Sequence, residues 1–214
     1  MPRTADPTDI PERLLAAGLD LFLRQGYNGT GIQQITDQAR VPKGSFYNHF
    51  ESKEAFGAAI VDLYSEHTRI SWKRWMRDAP PDPMEAIRHV FRAMIEHHER
   101  AGCSVGCLIG NLAAEMAPAS KLCRKRLQVA QLEWRERLAE LILAAQGLGE
   151  VRADLDATAL SALTWSVWEG ALLRMKVEVS VRPLEESIAT VLDYVYLPVH
   201  RPAPRTTKSV RRSL

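Results

Sequence analysis

Thr30-Gly-Ile-Gln-Gln-Ile-Thr-Asp-Gln-Ala-Arg-Val-Pro-Lys-Gly-Ser-Phe-Tyr-Asn-His-Phe50, followed by Glu51-Ser-Lys-Glu-Ala-Phe56, is the stretch that decides the fold. Thr30 can cap a short helix whose apolar positions Ile32, Ile35 and Ala39 share one face. Pro42 then imposes an extended step on Val41, while its own fixed φ suits the start of the next helix. That third helix, about Lys43 to Phe50, sets Phe46 and Phe50 four residues apart on one face. With those rings inward, the helical rotation turns Gly44, Ser45 and Asn48 outward and leaves Tyr47 and His49 on the flanks. Two short helices joined by a tight turn and braced by longer ones have the layout of a helix-turn-helix module.

Working outward, Leu14, Ala17, Gly18, Leu21 and Phe22 predict an amphipathic first helix, with Asp9 or Thr8 to cap it, Pro11 in its first turn and Gly26 as its stop. Ser52 caps a longer fourth helix with Phe56, Ala59, Ile60 and Leu63 inward. After the break at Pro80, Pro81 and Pro83, Ile87, Val90, Phe91, Met94, Ile95 and His98 form one stripe. A short helix from about Cys107 to Met116 stops before Pro118. Ser120 caps the next, with the stripe Cys123, Leu127, Ala130, Trp134, Leu138 and Leu141 and a stop at Gly147 and Gly149; Trp134 reads as core. Two more helices follow, about Ala157 to Glu178 and Pro183 to Leu197. The expected fold class is all-α.

Composition narrows the function classes. No apolar run is long enough to span a membrane and no signal peptide precedes the fold, which points to the cytoplasm. Cys103, Cys107 and Cys123 have neither CxxC nor finger spacing, so they read as free thiols and no metal is expected. The glycine pairs Gly106/Gly110 and Gly147/Gly149 complete neither a dinucleotide fingerprint nor a P-loop, and no nucleophile elbow or HExxH occurs. An enzyme and a cofactor are therefore not expected. The net charge is +2, yet Arg201, Arg205, Lys208, Arg211 and Arg212 lie in a tail without acids, and residues 1–55 carry six Lys/Arg against seven Asp/Glu. A basic field over the helix-turn-helix is absent, and the pattern by itself leaves both a DNA-reading face and a solvated polar face open. As a reading face, Asn48 would suit adenine, Ser45 a base or phosphate, and Lys43 and Lys53 the backbone, with Gln33 a further candidate contact.

The residues themselves add to this. Leu14 to Tyr27, with Val41-Pro-Lys-Gly-Ser-Phe-Tyr-Asn-His-Phe-Glu-Ser-Lys-Glu-Ala-Phe56, closely resembles the DNA-binding domain of TetR-family repressors over the first quarter of the chain. The resemblance implies a homodimer that reads a palindromic operator on double-stranded DNA and is released by a small-molecule effector. Gln33, Lys43, Gly44, Ser45, Tyr47, Asn48, His49 and Lys53 match family DNA-contact positions. It also implies a helix-turn-helix domain at 1–52 and a helical effector-binding and dimerisation domain at 53–197; residues 198–214, with three prolines, five basic residues and few apolar groups, read by composition as a basic disordered tail. Ala157, Ala159, Ser161, Ala162, Ser166, Gly170 and Ala171, with the apolar stripe Leu184 to Val195, read as the dimer interface or as packing within one subunit.

Farther along, Arg100-Ala-Gly-Cys-Ser-Val-Gly-Cys-Leu-Ile-Gly-Asn-Leu-Ala-Ala-Glu-Met-Ala117 and Trp165-Ser-Val-Trp-Glu-Gly-Ala-Leu-Leu-Arg-Met-Lys176 resemble the AcuR/NemR branch of that family. This implies an acrylate-like or other electrophilic effector, sensed at or near Cys107. A cysteine at a helix N-terminus has its thiolate favoured by the macrodipole; alternatively Cys107 is a small, inert core residue. A Cys103 to Cys107 disulfide stays open. Tyr64, Trp72, His98, Asn111, Trp165, Trp168 and Glu169 are the further effector-binding candidates, offering aromatic walls with a few polar groups. His98 equally continues a core stripe.

Overall fold

The computed structural model describes residues 9–198, all of them in helices and their connections. The basic stretch from residue 199 onward, and Thr8 as a cap, lie outside the described residues. In chain order the helices are α1 (Ile10–Gln25), α2 (Ile32–Ala39), α3 (Lys43–His49), α4 (Lys53–Arg77), α5 (Pro83–Arg100), α6 (Leu108–Met116), α7 (Lys121–Gly147), α8 (Ala157–Glu178) and α9 (Arg182–Thr190), and a π turn follows at Val191–Val195. The expected all-α class with an N-terminal helix-turn-helix is what forms.

Local chemistry sets most boundaries. Gly26 stops α1 at φ +77°, a backbone state costly for any residue with a Cβ. Ser52 and Ser120 accept hydrogen bonds from the Ala55 and Cys123 amides at 3.0 Å, as their positions suggest. Asp82 and Asp156 do the same for Glu85 and Ala159. Asp9 makes no such bond. Thr30 is not the cap of α2; its hydroxyl turns back to donate to Gly26 O at 2.7 Å, and Gly31 takes the cap position with its N–H on Gln34 Oε1 at 2.8 Å. The last expected helix is also not continuous. Tyr196 N–H reaches back five residues to Val191 O, and the wider turn brings the Tyr196 hydroxyl to buried Thr164 Oγ1 at 2.7 Å.

Two cores result. One joins α1 to α3 and the start of α4 through Leu14, Phe22, Ile35, Phe46, Phe56 and Ile60, and it continues into α6 and α7 at Leu108, Leu112, Met116 and Cys123. The other packs α5, α7, α8 and α9 around Phe91, Leu138, Ile142, Leu160 and Trp168. Leu184, Ile188, Val191 and Leu192 are spent in this second core, as are Ala157, Ser161 and Ala171. What α8 leaves exposed keeps Ala159, Ser166 and Gly170 of the expected interface residues and adds Leu163, Leu173 and Val177, all recurring at three- and four-residue steps along one face.

Gly18 is where α1 crosses α4, and a Cβ there would clash with the edge of the Phe56 ring. Gly18→Ala removes a helix-weakening glycine yet should lower the melting free energy by about 1–3 kcal/mol, because the overpacked crossing outweighs the propensity gain. Thermal or urea denaturation checks the sign; an unchanged or raised stability contradicts this packing.

Candidate functional site

The outer face of α3 is assembled as the aromatic spacing requires. Phe46 is fully buried, with its ring 5.2 Å from Phe56 and 5.6 Å from Phe50. Lys43, Gly44, Tyr47, Asn48 and His49 are consequently exposed and Ser45 is half-buried. A Cβ on Gly44 would meet nothing within 4 Å, so the protein's own packing gives no reason for a glycine there. Gln33 is exposed on α2, and its amide donates to Asp37 Oδ1 at 2.7 Å. Lys53 is less free than its sequence position suggests. Its ammonium donates to Tyr27 O at 2.6 Å and sits 4.1 Å from the Tyr27 ring centroid, and burial lowers its pKa against the pull of Glu115. The module is held rigid from behind: the Arg13 guanidinium donates to Ala39 O and Arg40 O, and Asp20 receives both Arg24 and Gln38.

The C-terminal candidates gather in two adjoining hollows. Tyr64, Trp72, His98, Cys107, Trp165 and Trp168 line a cavity of about 290 Å³ between α1, α4, α5, α6, α7 and α8. Asn111 and Glu169 face a second, more open cleft, and Cys107 and Trp165 stand on the wall shared by both. Trp134, buried as a core residue, lines the cavity as well, together with Trp75 and Arg137, which the stripe pattern alone does not single out. A tryptophan count set against the helical faces would have found Trp75.

His98 is both a core and a cavity residue. Its Nδ1 lies 3.0 Å from Val105 O, and burial pushes its pKa down to about 4, so at neutral pH the uncharged ring donates through Nδ1. Cys107 occupies the N-cap of α6, but the macrodipole expectation fails there. Burial, and next the Glu169 carboxylate, push the thiol well above its usual pKa; the Gly110 and Ile109 amides pull the other way and lose. Burial raises Glu169 itself to about 7, with Cys107 and Lys176 opposing, and its Oε1 has no hydrogen-bond partner. Burial likewise holds the Tyr64 hydroxyl well above the usual phenol range. Glycine makes this crowding possible. A Cβ on Gly110 would strike the Glu169 carboxylate and one on Gly106 would press on the Lys176 stem, whose ammonium donates to Asn111 Oδ1 at 2.9 Å. Cys103, Cys107 and Cys123 are all free thiols.

One helix connects the two sites. From Cys107 at its start, α6 runs to Glu115, whose Oε2 accepts the Asn28 N–H at 2.6 Å in the α1–α2 connection. Met116 packs into the space left by Gly57 on α4, and the Ser120 hydroxyl donates to Glu54.

Known proteins share both parts. Residues 14–60 match the bacterial regulatory proteins of the tetR family, and residues 83–191 match the tetracyclin repressor-like C-terminal domain. The HTH-type transcriptional repressor DhaR of Mycobacterium sp. (strain GP1) is 36% identical over 186 residues, covering 87% of this chain and 92% of DhaR. The transcriptional regulator AcuR of Cereibacter sphaeroides is 36% identical over 195 residues, covering 88% of this chain and 89% of AcuR. The crystal structure of reduced E. coli NemR superposes with a TM-score of 0.77 at 27% identity, over 86% of this chain and 95% of that one.

Glu169→Gln should speed alkylation of Cys107 severalfold near pH 7 by removing the anion that suppresses the thiolate, which mass spectrometry of the alkylated chain would follow. The same change should stabilise the fold, by an amount that grows as pH rises from about 4.5 to about 7 and then levels off. The sign follows from a carboxyl whose folded pKa, about 7, lies above its ordinary value of 4.5, so that folding disfavours the charged form. Slower alkylation with a pH-independent stability difference would contradict the burial and coupling described.

Proposed function

The chain belongs to the tetR family of bacterial regulatory proteins and is a DNA-binding transcriptional repressor, and we propose that it grips a palindromic operator as a cytoplasmic homodimer and releases it when a small electrophile reaches Cys107. Residues 1–52 act as the reading head and residues 53–197 as the effector-binding and dimerisation part. Gln33, Lys43, Gly44, Ser45, Tyr47, Asn48, His49 and Lys53 face the DNA. The bare Gly44 supports this, since a residue with no internal packing partner leaves the helix free to approach an outside surface closely. Lys53 then serves a phosphate with the donors that Tyr27 leaves over.

The observation that carries the effector half is the path from Cys107 along α6 to the Glu115–Asn28 hydrogen bond. Cavity residues Tyr64, Trp72, His98, Trp165 and Trp168, with Asn111 and Glu169 in the cleft that adjoins it across Cys107 and Trp165, hold the effector. Because the resting Cys107 is a protonated thiol, its selectivity comes from holding the electrophile against the sulfur rather than from general nucleophilicity. In the addition the sulfur bonds the β-carbon of an enal or enoate, the alkene electrons move toward the carbonyl, and the proton ends on the α-carbon. An occupied cavity displaces α6 and the middle of α4, which lines it through Tyr64 and Trp72. The reading heads then leave the spacing of successive major grooves. The exposed Ala159–Val177 stripe of α8, with Leu173 and Val177 60% and 84% exposed in the single subunit, is the face offered to the second copy.

A gel-shift titration on the chain's own upstream DNA tests the reading. Sequence-specific, salt-sensitive binding by the wild type, lost on adding a small enal, is expected, whereas Cys107→Ser should stay bound at the same dose. Equal release of both proteins contradicts covalent sensing; no specific binding at low salt contradicts the repressor itself.

A further inference from the structure

The chain has five tryptophans, and all of them, Trp72, Trp75, Trp134, Trp165 and Trp168, line the cavity of about 290 Å³ beside Cys107. They come from three helices that are far apart in sequence. The Trp134 and Trp165 rings are tilted against each other with centroids 4.7 Å apart, and Trp168 stands 5.9 Å from the His98 ring. Walls of this kind suit a flat ring, which gains edge and offset contacts that an aliphatic chain of equal area does not. Size agrees. An apolar cavity of about 150 Å³ holds benzene, and this one, at about 290 Å³, has room for a ring and a short side chain. A three-carbon enoate would leave most of it unfilled.

Charge selects further. An aromatic box is also the usual receptor for a quaternary ammonium, but such sites are strengthened by acids, and among the described residues no Asp or Glu lines this cavity. The full-time cation that does line it is Arg137, whose side chain is 18% exposed. Glu133 takes its Nη2 at 3.0 Å and is itself shared with Arg69 at 3.1 Å. The remaining guanidinium donors suit a carboxylate, and the neutral His98 adds no competing charge.

From this geometry we propose that the cavity is a receptor for a planar aryl monocarboxylate, with its ring among the tryptophans and its carboxylate on Arg137. The proposal rests on the cavity being the effector site, and it names the class of compound that fills it; an aryl enoate would combine this fit with addition to Cys107.

Intrinsic fluorescence reads the claim directly, because the chain has no tryptophan away from the cavity to dilute the signal. The probe is 3-phenylpropanoate, which has no electrophilic carbon. It should quench wild type and Cys107→Ser alike, with an affinity at least about tenfold above that of propanoate and above that of phenyltrimethylammonium. Arg137→Met should weaken the acid about tenfold while leaving 3-phenylpropanamide within about twofold, as expected for one charge-assisted contact. Retained amide binding shows that the variant is folded. Absence of quenching, equal binding of propanoate, preference for the ammonium, or equal loss of acid and amide in Arg137→Met would each overturn the proposal. If the acid binds as stated but never alters operator affinity, the release reading fails and the ligand class stands. Should an enal release the operator while the acid does not bind, the ligand class fails and the repressor stands.

Discussion

Helix α6 is nine residues long, and both of its ends are committed. At the start, glycines at 106 and 110 let the Lys176 and Glu169 side chains of α8 lie directly against the turn that carries Cys107. At the end, Glu115 holds the Asn28 amide and Met116 fills the gap over Gly57. A short, rigid element pinned this way transmits displacement instead of absorbing it, since packed interiors repack between arrangements more readily than they stretch. The first core accordingly does not stop at the helix-turn-helix; it takes in Leu108, Leu112 and Met116.

The electrostatics around that turn are those of a site kept neutral at rest. The thiol of Cys107 is protonated, His98 is uncharged, and the Glu169 carboxyl titrates near pH 7 with one oxygen unpartnered. Burial is the leading cause in each case, outweighing the helix N-terminus at Cys107. Glu169 and His98 act on stability in opposite senses over the same range. Ionising Glu169 costs the fold stability as pH rises from about 4.5 to about 7, whereas the unfolded chain's readier protonation of His98 costs it stability as pH falls from about 6.5 to about 4. The two offset each other in mildly acid solution.

Much of this was legible in the sequence, and the reasons for the remainder are physical. Helical periodicity, Gly26, Ser52 and Ser120 placed the helices because each is a local signal. Phe46 and Phe50 oriented α3 correctly for the same reason. The errors occur where a distant residue decides. Thr30 loses the cap of α2 because Gly26 O lies within its reach, and α9 breaks into a π turn where Tyr196 meets Thr164. The Cys107 thiol defies its helix terminus because the packed helices bury it and, secondly, because Glu169, sixty-two positions later, lies beside it. Of the two readings the pattern left open for the Leu184–Val195 stripe, packing within one subunit takes its inward face, which is used against α8. Nothing in the sequence sets Arg137 apart from the other arginines, since only the fold brings it to the tryptophans.

Release of DNA depends on one event, the movement of α6, and with it the reading heads, when the tryptophan-lined cavity is occupied. The direct measurement is the distance between spin labels placed at exposed position 48 on α3 of the two subunits, with and without a saturating cavity ligand whose binding is followed by tryptophan fluorescence. Without ligand the account predicts a separation near one turn of duplex DNA, about 34 Å, or a multiple of it, and a displacement of several ångströms when the cavity is filled. A distance that stays unchanged while the fluorescence reports full occupancy would contradict it.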